Sequence, residues 1–302
     1  MAWHGVFPAA VTHFRDDDSI DFAATGDHVA AMIASGVDGM IVLGTVGENS
    51  ALTSEEKLAV VRAIVDRVDG AVPVLSGVAE TSTASACRYA EAVASAGADG
   101  LMVLPAMVYK SDVRETQAHV RAVAAATDLP IMLYNNPVSY GVDLPPAACA
   151  DLGDVATIVA IKESSDDPRR ITDLHNACGG RYRLFCGVDD LVMESFAAGI
   201  DGWVSGLVNA FPAENRRLWD LLTEGAWDEA RALYRWYMPL LHLDTHAKLV
   251  QCIKLAVAEV GSGSERTRPP RLPLIGAERE QVLTIIRTAL ANRPPVTPAV
   301  SA

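Results

Sequence analysis

No run of 18 uncharged apolar residues occurs in this 302-residue sequence, and its start, Met1 to Pro8, has no basic segment leading into an apolar one. Neither membrane insertion nor export is expected. Cationic side chains are scarce: 25 Lys and Arg face 38 Asp and Glu, a net charge of -13. Such a field repels phosphate backbones and anionic lipid, which argues against nucleic acid or a membrane surface as a partner. An anionic ligand must then be held by local groups. Cysteine is limited to Cys87, Cys149, Cys178, Cys186 and Cys252, with no C-x-x-C or other metal spacing. That pattern fits buried thiols in a reducing, cytoplasmic compartment, and neither a metal nor a cofactor is expected.

What is present is an ordinary globular composition, 50% hydrophobic and 21% charged, in a chain long enough to bury a large core without staples. Short segments rich in Val, Ile and Leu recur between helical stretches, as in strands buried on both faces of a parallel sheet. They run over Gly5 to Thr12, Gly39 to Leu43, Val72 to Ser76, Gly100 to Leu104, Ile131 to Tyr134, Val159 to Lys162, Arg183 to Cys186 and Gly202 to Ser205. Eight such units, each followed by apolar residues at three- and four-residue spacing, predict an α/β fold of the (β/α)8 TIM barrel type. A doubly wound sheet is the rival. Its G-x-G-x-x-G fingerprint is missing, because Phe7-Pro8-Ala9-Ala10-Val11-Thr12-His13-Phe14 stands in that place.

Helix signals agree. Thr53-Ser54-Glu55-Glu56 supplies a cap ahead of Leu58, Val61, Ile64 and Val65 on one helical face. Beyond Ser205, helical patterns over Ala213 to Glu224, Trp227 to Leu241, His246 to Val260 and Ala277 to Ala291 exceed the one helix that closes a barrel. Residues 1–212 are therefore expected to form the barrel core and 213–291 a closing helix with a C-terminal helical extension. Residues 292–302, with three prolines, read as a loose tail.

Of five lysines, only Lys162 lies inside a predicted barrel strand, at the C-terminal end where barrel enzymes place catalytic groups. A lysine facing a dry barrel mouth is desolvated, which favours the neutral amine that attacks a carbonyl to make an imine. The competing reading is a buried ion pair with Glu163 or another barrel carboxylate. Tyr134 ends the preceding strand, where its phenol could relay protons to a carbinolamine and to a carbon acid, or could pack its ring and leave the hydroxyl wet. After the second strand, Gly44-Thr45-Val46-Gly47-Glu48-Asn49 offers backbone N–H groups and a hydroxyl able to hold a carboxylate without a cation.

In order along the chain, Gly44-Thr45-x-Gly47-Glu48, Tyr134-Asn135-x-Pro137, Ile161-Lys162-Glu163, Gly187-x-Asp189-Asp190, and Asn209 before Pro212 resemble the dihydrodipicolinate synthase and N-acetylneuraminate lyase superfamily. The resemblance covers most of the chain. It implies a TIM barrel with a C-terminal helical extension and class I aldolase chemistry on a small 2-oxo acid. It further implies Lys162 as imine former, Tyr134 as proton relay, Thr45 in carboxylate binding, and a homo-oligomer, tetramer or dimer.

Departures from the synthase pattern bear on the substrate. The family's G-T-T-G-E loop has Val46 in place of its second threonine, which breaks a hydroxyl chain, and the arginine two residues after the proline of Y-N-x-P is Ser139. A tyrosine that a neighbouring subunit supplies falls near Met107, with Tyr109 near enough in sequence to compensate. These changes disfavour dihydrodipicolinate synthesis and fit elimination of water, or of water and ammonia, from a Schiff-base-bound compound. The run Asn135-Asn136-Pro137-Val138-Ser139-Tyr140-Gly141 most resembles the deaminases of 1-pyrroline-4-hydroxy-2-carboxylate. Retro-aldol cleavage of a 4-hydroxy-2-oxo acid, sugar-acid dehydration and a non-catalytic 2-oxo-acid sensor stay open. The substrate pocket is assigned to Gly44, Thr45, Val46, Tyr109, Ser139 and Val204, with Met107, Tyr140 and Val208 as further distal lining. His13, ending the first strand, reads either as a substrate ligand or as a packed rim residue. Cys186 reads as a buried hydrophobe, Asp189 and Asp190 as helix caps, and His242, Asp244 and His246 as a solvated helix edge without a third metal ligand.

Overall fold

Each of the eight apolar segments is a strand in the computed structural model, which describes residues 3–106 and 108–295. The strands are β1 (Gly5–Pro8), β2 (Met40–Val42), β3 (Val74–Val78), β4 (Gly100–Val103), β5 (Ile131–Asn135), β6 (Ile158–Glu163), β7 (Arg183–Cys186) and β8 (Gly202–Ser205). They pair in parallel in the order β1-β8-β7-β6-β5-β4-β3-β2. The ring is drawn together between β1 and β2, where Ala9 bridges Ile41 and the Ala10 N–H donates to the Ile41 carbonyl at 2.9 Å. This is a (β/α)8 TIM barrel.

Helices α1 (Phe22–Ala34), α2 (Ser54–Val68), α3 (Thr83–Ser95) and α4 (Val113–Ala125) cover the first half of the ring. The second half carries α5 (Pro137–Tyr140), α6 (Pro146–Asp151), α7 (Arg169–Cys178), α8 (Val192–Ala197) and α9 (Pro212–Thr223). The extension is α10 (Trp227–Leu241), α11 (Leu249–Glu259) and α12 (Gly276–Ala291). Local chemistry sets these boundaries. Thr53 Oγ1 accepts from the Glu56 N–H at 3.2 Å while Glu56 returns a carboxylate to the Thr53 N–H at 2.9 Å, so α2 starts on the predicted reciprocal cap. Val61 and Ile64 are buried and Leu58 and Val65 half-buried beneath it. No helix among the described residues is long and apolar enough to cross a membrane.

Beyond shifts of one or two residues at element ends, three boundaries differ from the sequence reading. The first strand ends at Pro8 rather than Thr12, because the backbone beyond it leaves the ladder and is held by side chains: Asn209 Oδ1 accepts from the Val11 N–H and Thr25 Oγ1 from the His13 N–H, both at 3.0 Å. The helix expected from His246 starts at Leu249, and residues 242–248 form a turn at the barrel mouth instead. The tail is not loose from its first residue, since Arg293 Nη2 reaches the buried Glu214 carboxylate at 3.0 Å. Residues 296–302 of that tail lie outside the described residues.

The extension is bolted to the catalytic face. Lys254 on α11 lies 2.5 Å from Glu48 in the loop after β2, with both side chains fully buried, and the Arg268 N–H donates to the second Glu48 oxygen at 3.0 Å. Glu48 has a φ of 57°, a conformation costly for a residue with a Cβ and one that these contacts hold in place.

Candidate active site

Ladder register makes Tyr134 of β5 and Lys162 of β6 direct neighbours, and Lys162 Nζ lies 4.0 Å from the centre of the Tyr134 ring. Because side chains alternate along a strand, Glu163 points the other way. It accepts from Asn135 Nδ2 at 3.1 Å and from the Ser165 N–H at 2.8 Å, so it is not the counterion of Lys162. Gly187, just past β7, leaves the room the lysine stem occupies: a Cβ there would stand 2.5 Å from Lys162 Cε. Burial lowers the pKa of Lys162, opposed in part by the neighbouring Tyr140, Asp244 and Asp189. Desolvation thus favours the neutral, nucleophilic amine.

Lys162 and Tyr134 open onto a cavity of about 570 Å³ that Gly44, Thr45, Val46, Ser139 and Val204 also line. Thr45 Oγ1 and the Tyr140 hydroxyl are 2.6 Å apart, and the Tyr140 ring stands edge-on to Tyr134 at 5.7 Å. A hydroxyl pair, Thr45 with Tyr140, thus stands within this chain one residue before Val46. Helix α5 makes this geometry: Asn136 caps it by accepting from the Ser139 N–H at 2.8 Å, Pro137 starts it, and one turn later Tyr140 faces Thr45. The same Asn136 donates from Nδ2 to the Tyr134 hydroxyl at 3.0 Å. Burial raises the pKa of both phenols, so both keep their protons at neutral pH and can pass them on as hydroxyls.

Several candidates fall elsewhere. His13 is not on the cavity. It is buried behind the strand end, edge-on to His28 at 5.0 Å, and burial lowers its pKa to about 3, which leaves a neutral ring away from the cavity lining. Tyr109 is 59% exposed and its hydroxyl donates to the Glu115 carboxylate at 3.0 Å, because the loop after β4 turns it outward onto α4. Val208 is fully buried and does not line the cavity. Met107 lies outside the described residues. Cys186 is buried, its thiol pushed up to about 12 by desolvation.

Asp244 and His246, expected on a solvated helix edge, both line the cavity, as does Arg271, which carried no expectation. Asp244 is no solvated helix edge: the turn after α10 brings it into the barrel mouth. It packs so tightly that a Cβ on Gly206 would meet its Oδ1 at 2.2 Å. Arg271, from the loop before α12, lines the same space 3.9 Å from Glu48. Asp189 is not a helix cap either. It is fully buried and accepts from Trp203 Nε1 (2.9 Å), Ser205 Oγ (3.1 Å) and the N–H groups of Gly206 and Leu207 (3.2 and 2.8 Å). Among the described residues no group of three or more His, Cys, Asp and Glu side chains could hold a metal ion.

A barrel with a lysine and a tyrosine side by side at adjacent strand ends is the architecture of imine-forming lyases, and sequence comparison agrees. The Dihydrodipicolinate synthetase family model matches residues 2–289, and the chain belongs to that family. A 4-hydroxy-tetrahydrodipicolinate synthase of Pelobacter propionicus is 32% identical over 94% of this chain and 98% of its own length. An uncharacterized DapA-like lyase of Halobacterium salinarum is 37% identical over 77% of this chain and 76% of its own. Among solved structures, the 4-hydroxy-tetrahydrodipicolinate synthase of Methylacidiphilum fumariolicum superposes with a TM-score of 0.90 at 28% identity, covering 96% of this chain and 98% of that one. YagE of E. coli, solved in complex with pyruvate, gives 0.90 at 28% identity over 96% and 99%. The chain is accordingly a class I aldolase-type lyase, an enzyme that works through a lysine Schiff base.

Proposed function

We propose that Lys162 is the imine-forming lysine and that the reaction is elimination of water and ammonia from 1-pyrroline-4-hydroxy-2-carboxylate. The observation that carries this reading is the Thr45–Tyr140 hydroxyl pair beside Tyr134 and Lys162, completed within one chain, with Ser139 in place of an arginine for a second anionic substrate. Lys162 adds to the ring C=N and the ring C–N bond breaks, leaving an iminium on Lys162 and a free amine. A proton leaves carbon 3 and the 4-hydroxyl departs as water. The double bond then moves toward the amine, one water hydrolyses that aldimine to ammonia and an aldehyde, and a second hydrolyses the Lys162 iminium. The net reaction consumes one water and yields 2-oxoglutarate semialdehyde. Tyr134 stands against Lys162 where protons move at the carbinolamine. The Gly44-Thr45-Val46 segment holds the carboxylate. The enzyme needs no cofactor and works as a cytoplasmic homo-oligomer.

A second reading, retro-aldol cleavage of a 4-hydroxy-2-oxo acid, is favoured by Arg271, a guanidinium on the cavity wall suited to a longer anionic substrate. The test runs three arms with Lys162→Ala as the blank. Borohydride with pyruvate should add the ligand mass to the Lys162 peptide, and its absence sinks the imine assignment. Ammonia should be released from the pyrroline substrate. Condensation of pyruvate with aspartate semialdehyde should be undetectable, and robust condensation overturns the elimination reading.

A further inference from the structure

Two carboxylates flank Gly206 at the barrel mouth in unlike surroundings. Asp189, after β7, takes four hydrogen bonds, from Trp203, Ser205 and the N–H groups of Gly206 and Leu207. Asp244, in the turn between α10 and α11, lies against the Gly206 backbone with one face on the cavity that holds Lys162 and Tyr134. Unlike that of Asp189, its carboxyl is not surrounded by donors among the described residues, and burial raises its pKa more than the Asp189 backbone N–H lowers it. Hydrogen bonds to an anion stabilise it, and two adjacent carboxylates resist double ionisation, so a shared proton goes to the one with fewer donors. Asp189 remains the carboxylate and Asp244 the acid.

The turn is fixed for this purpose. His242 Nδ1 lies 2.6 Å from an Asp190 carboxylate oxygen, the Asp244 N–H donates to the Leu241 carbonyl at 3.0 Å, and Tyr234 of α10 donates to the Asp190 carbonyl at 2.6 Å. The C-terminal extension therefore supplies the active site with a positioned side chain that no barrel strand carries.

From this geometry we infer that Asp244 is the general acid of the elimination, donating its proton to the hydroxyl that leaves carbon 4 of the Lys162-bound substrate. The inference rests on the elimination reading above. In the step, the pair of the C–O bond leaves with the oxygen, which takes the Asp244 proton and departs as water. The enamine electrons form the new C=C, conjugated with the Lys162 iminium, and the Asp244 carboxylate left behind faces that cation. When water attacks the iminium, its proton returns to Asp244. The groups acting on Asp244 are Lys162 on β6, Tyr134 on β5, Asp189 and Asp190 after β7, and Tyr237 on α10. Burial and the neighbouring Asp189 raise its pKa well above the carboxylate range, in accord with a neutral donor.

Asp244→Asn tests this, since the amide keeps the shape but cannot give up a proton. Borohydride trapping of pyruvate on Lys162 should persist within about threefold of the native enzyme, which also reports that the barrel is folded. Ammonia release should fall by about a hundredfold or more, within the range for loss of a general acid. A substrate with fluoride in place of the 4-hydroxyl, whose departure needs no proton, should recover most of that loss. An acid must be protonated, so native kcat should decline as pH rises through the Asp244 pKa, and that limb should vanish in Asp244→Asn. Gly206→Ala, whose methyl displaces the carboxyl, should reproduce the defect with imine trapping intact. Ammonia release by Asp244→Asn near the native rate, or an equal loss with the fluoro substrate, overturns the assignment while leaving the elimination reading standing. No ammonia from the native enzyme sinks both.

Discussion

At the scale of single residues, the hydroxyl pair of Thr45 and Tyr140 shows how the site can be tested apart from the fold. The two oxygens are 2.6 Å apart and belong to one hydrogen bond, so removing either end removes the same interaction. Thr45→Val and Tyr140→Phe should each lower kcat for ammonia release by about a hundredfold if the pair relays protons. The double variant should be no slower than the worse single one, because interacting residues are not additive. Additive losses would show two independent hydroxyls. Lys162 and Tyr134 were legible in the sequence because a lysine inside an apolar strand and a tyrosine at the end of the strand before it break a pattern. Asp244 was not. Its three neighbours of mixed polarity between two helical patterns look like any helix edge, and only the turn at 242–248 reveals what it faces. Tyr140 was visible as a residue, but its partner stands 95 positions away in sequence, a distance no local pattern spans.

Elements show the same division. Every strand was found because strands buried on both faces are continuous apolar runs, while the ends of β1 and α11 were misplaced where side chains rather than the ladder hold the backbone. What fastens α11 to the loop after β2 is the Glu48–Lys254 pair, and both partners are wholly buried. Breaking a buried pair leaves a bare charge in a dry interior, at a cost of about 3–5 kcal/mol. Lys254→Met should cost about the lower end of that range, since Arg271 lies 3.9 Å from Glu48 and partly answers its charge. Adding Glu48→Gln should return most of the stability by removing the stranded charge. Urea unfolding midpoints of the two variants decide it, and a double variant less stable than Lys254→Met would show that Glu48 is held by other contacts.

At the scale of the whole molecule, the net charge of -13 and the exposed apolar residues pull against one another. Val108 is 95% exposed and Tyr109 59% exposed on the loop after β4, and Val138, 63% exposed, follows Pro137 in α5 beside the cavity. Apolar side chains of that size left in water on neighbouring loops are expected to be covered by a partner. The loop after β4 is also where the family resemblance places a residue given to a neighbouring subunit. The expected partner is a second copy of this chain, and sedimentation velocity should show a dimer or tetramer at micromolar concentration. Like charges on the subunits oppose association and are screened with a Debye length of about 30 Å at 0.01 M salt and about 8 Å at 0.15 M. The assembly should therefore tighten as salt rises over that interval, the opposite of an interface held by ion pairs. Val108→Asp places one more negative charge in the patch and should shift the protein toward smaller species, most strongly at low salt. A native protein that sediments as a monomer at both salt concentrations would overturn the reading of this surface and leave Val108 and Tyr109 as unpartnered loop residues.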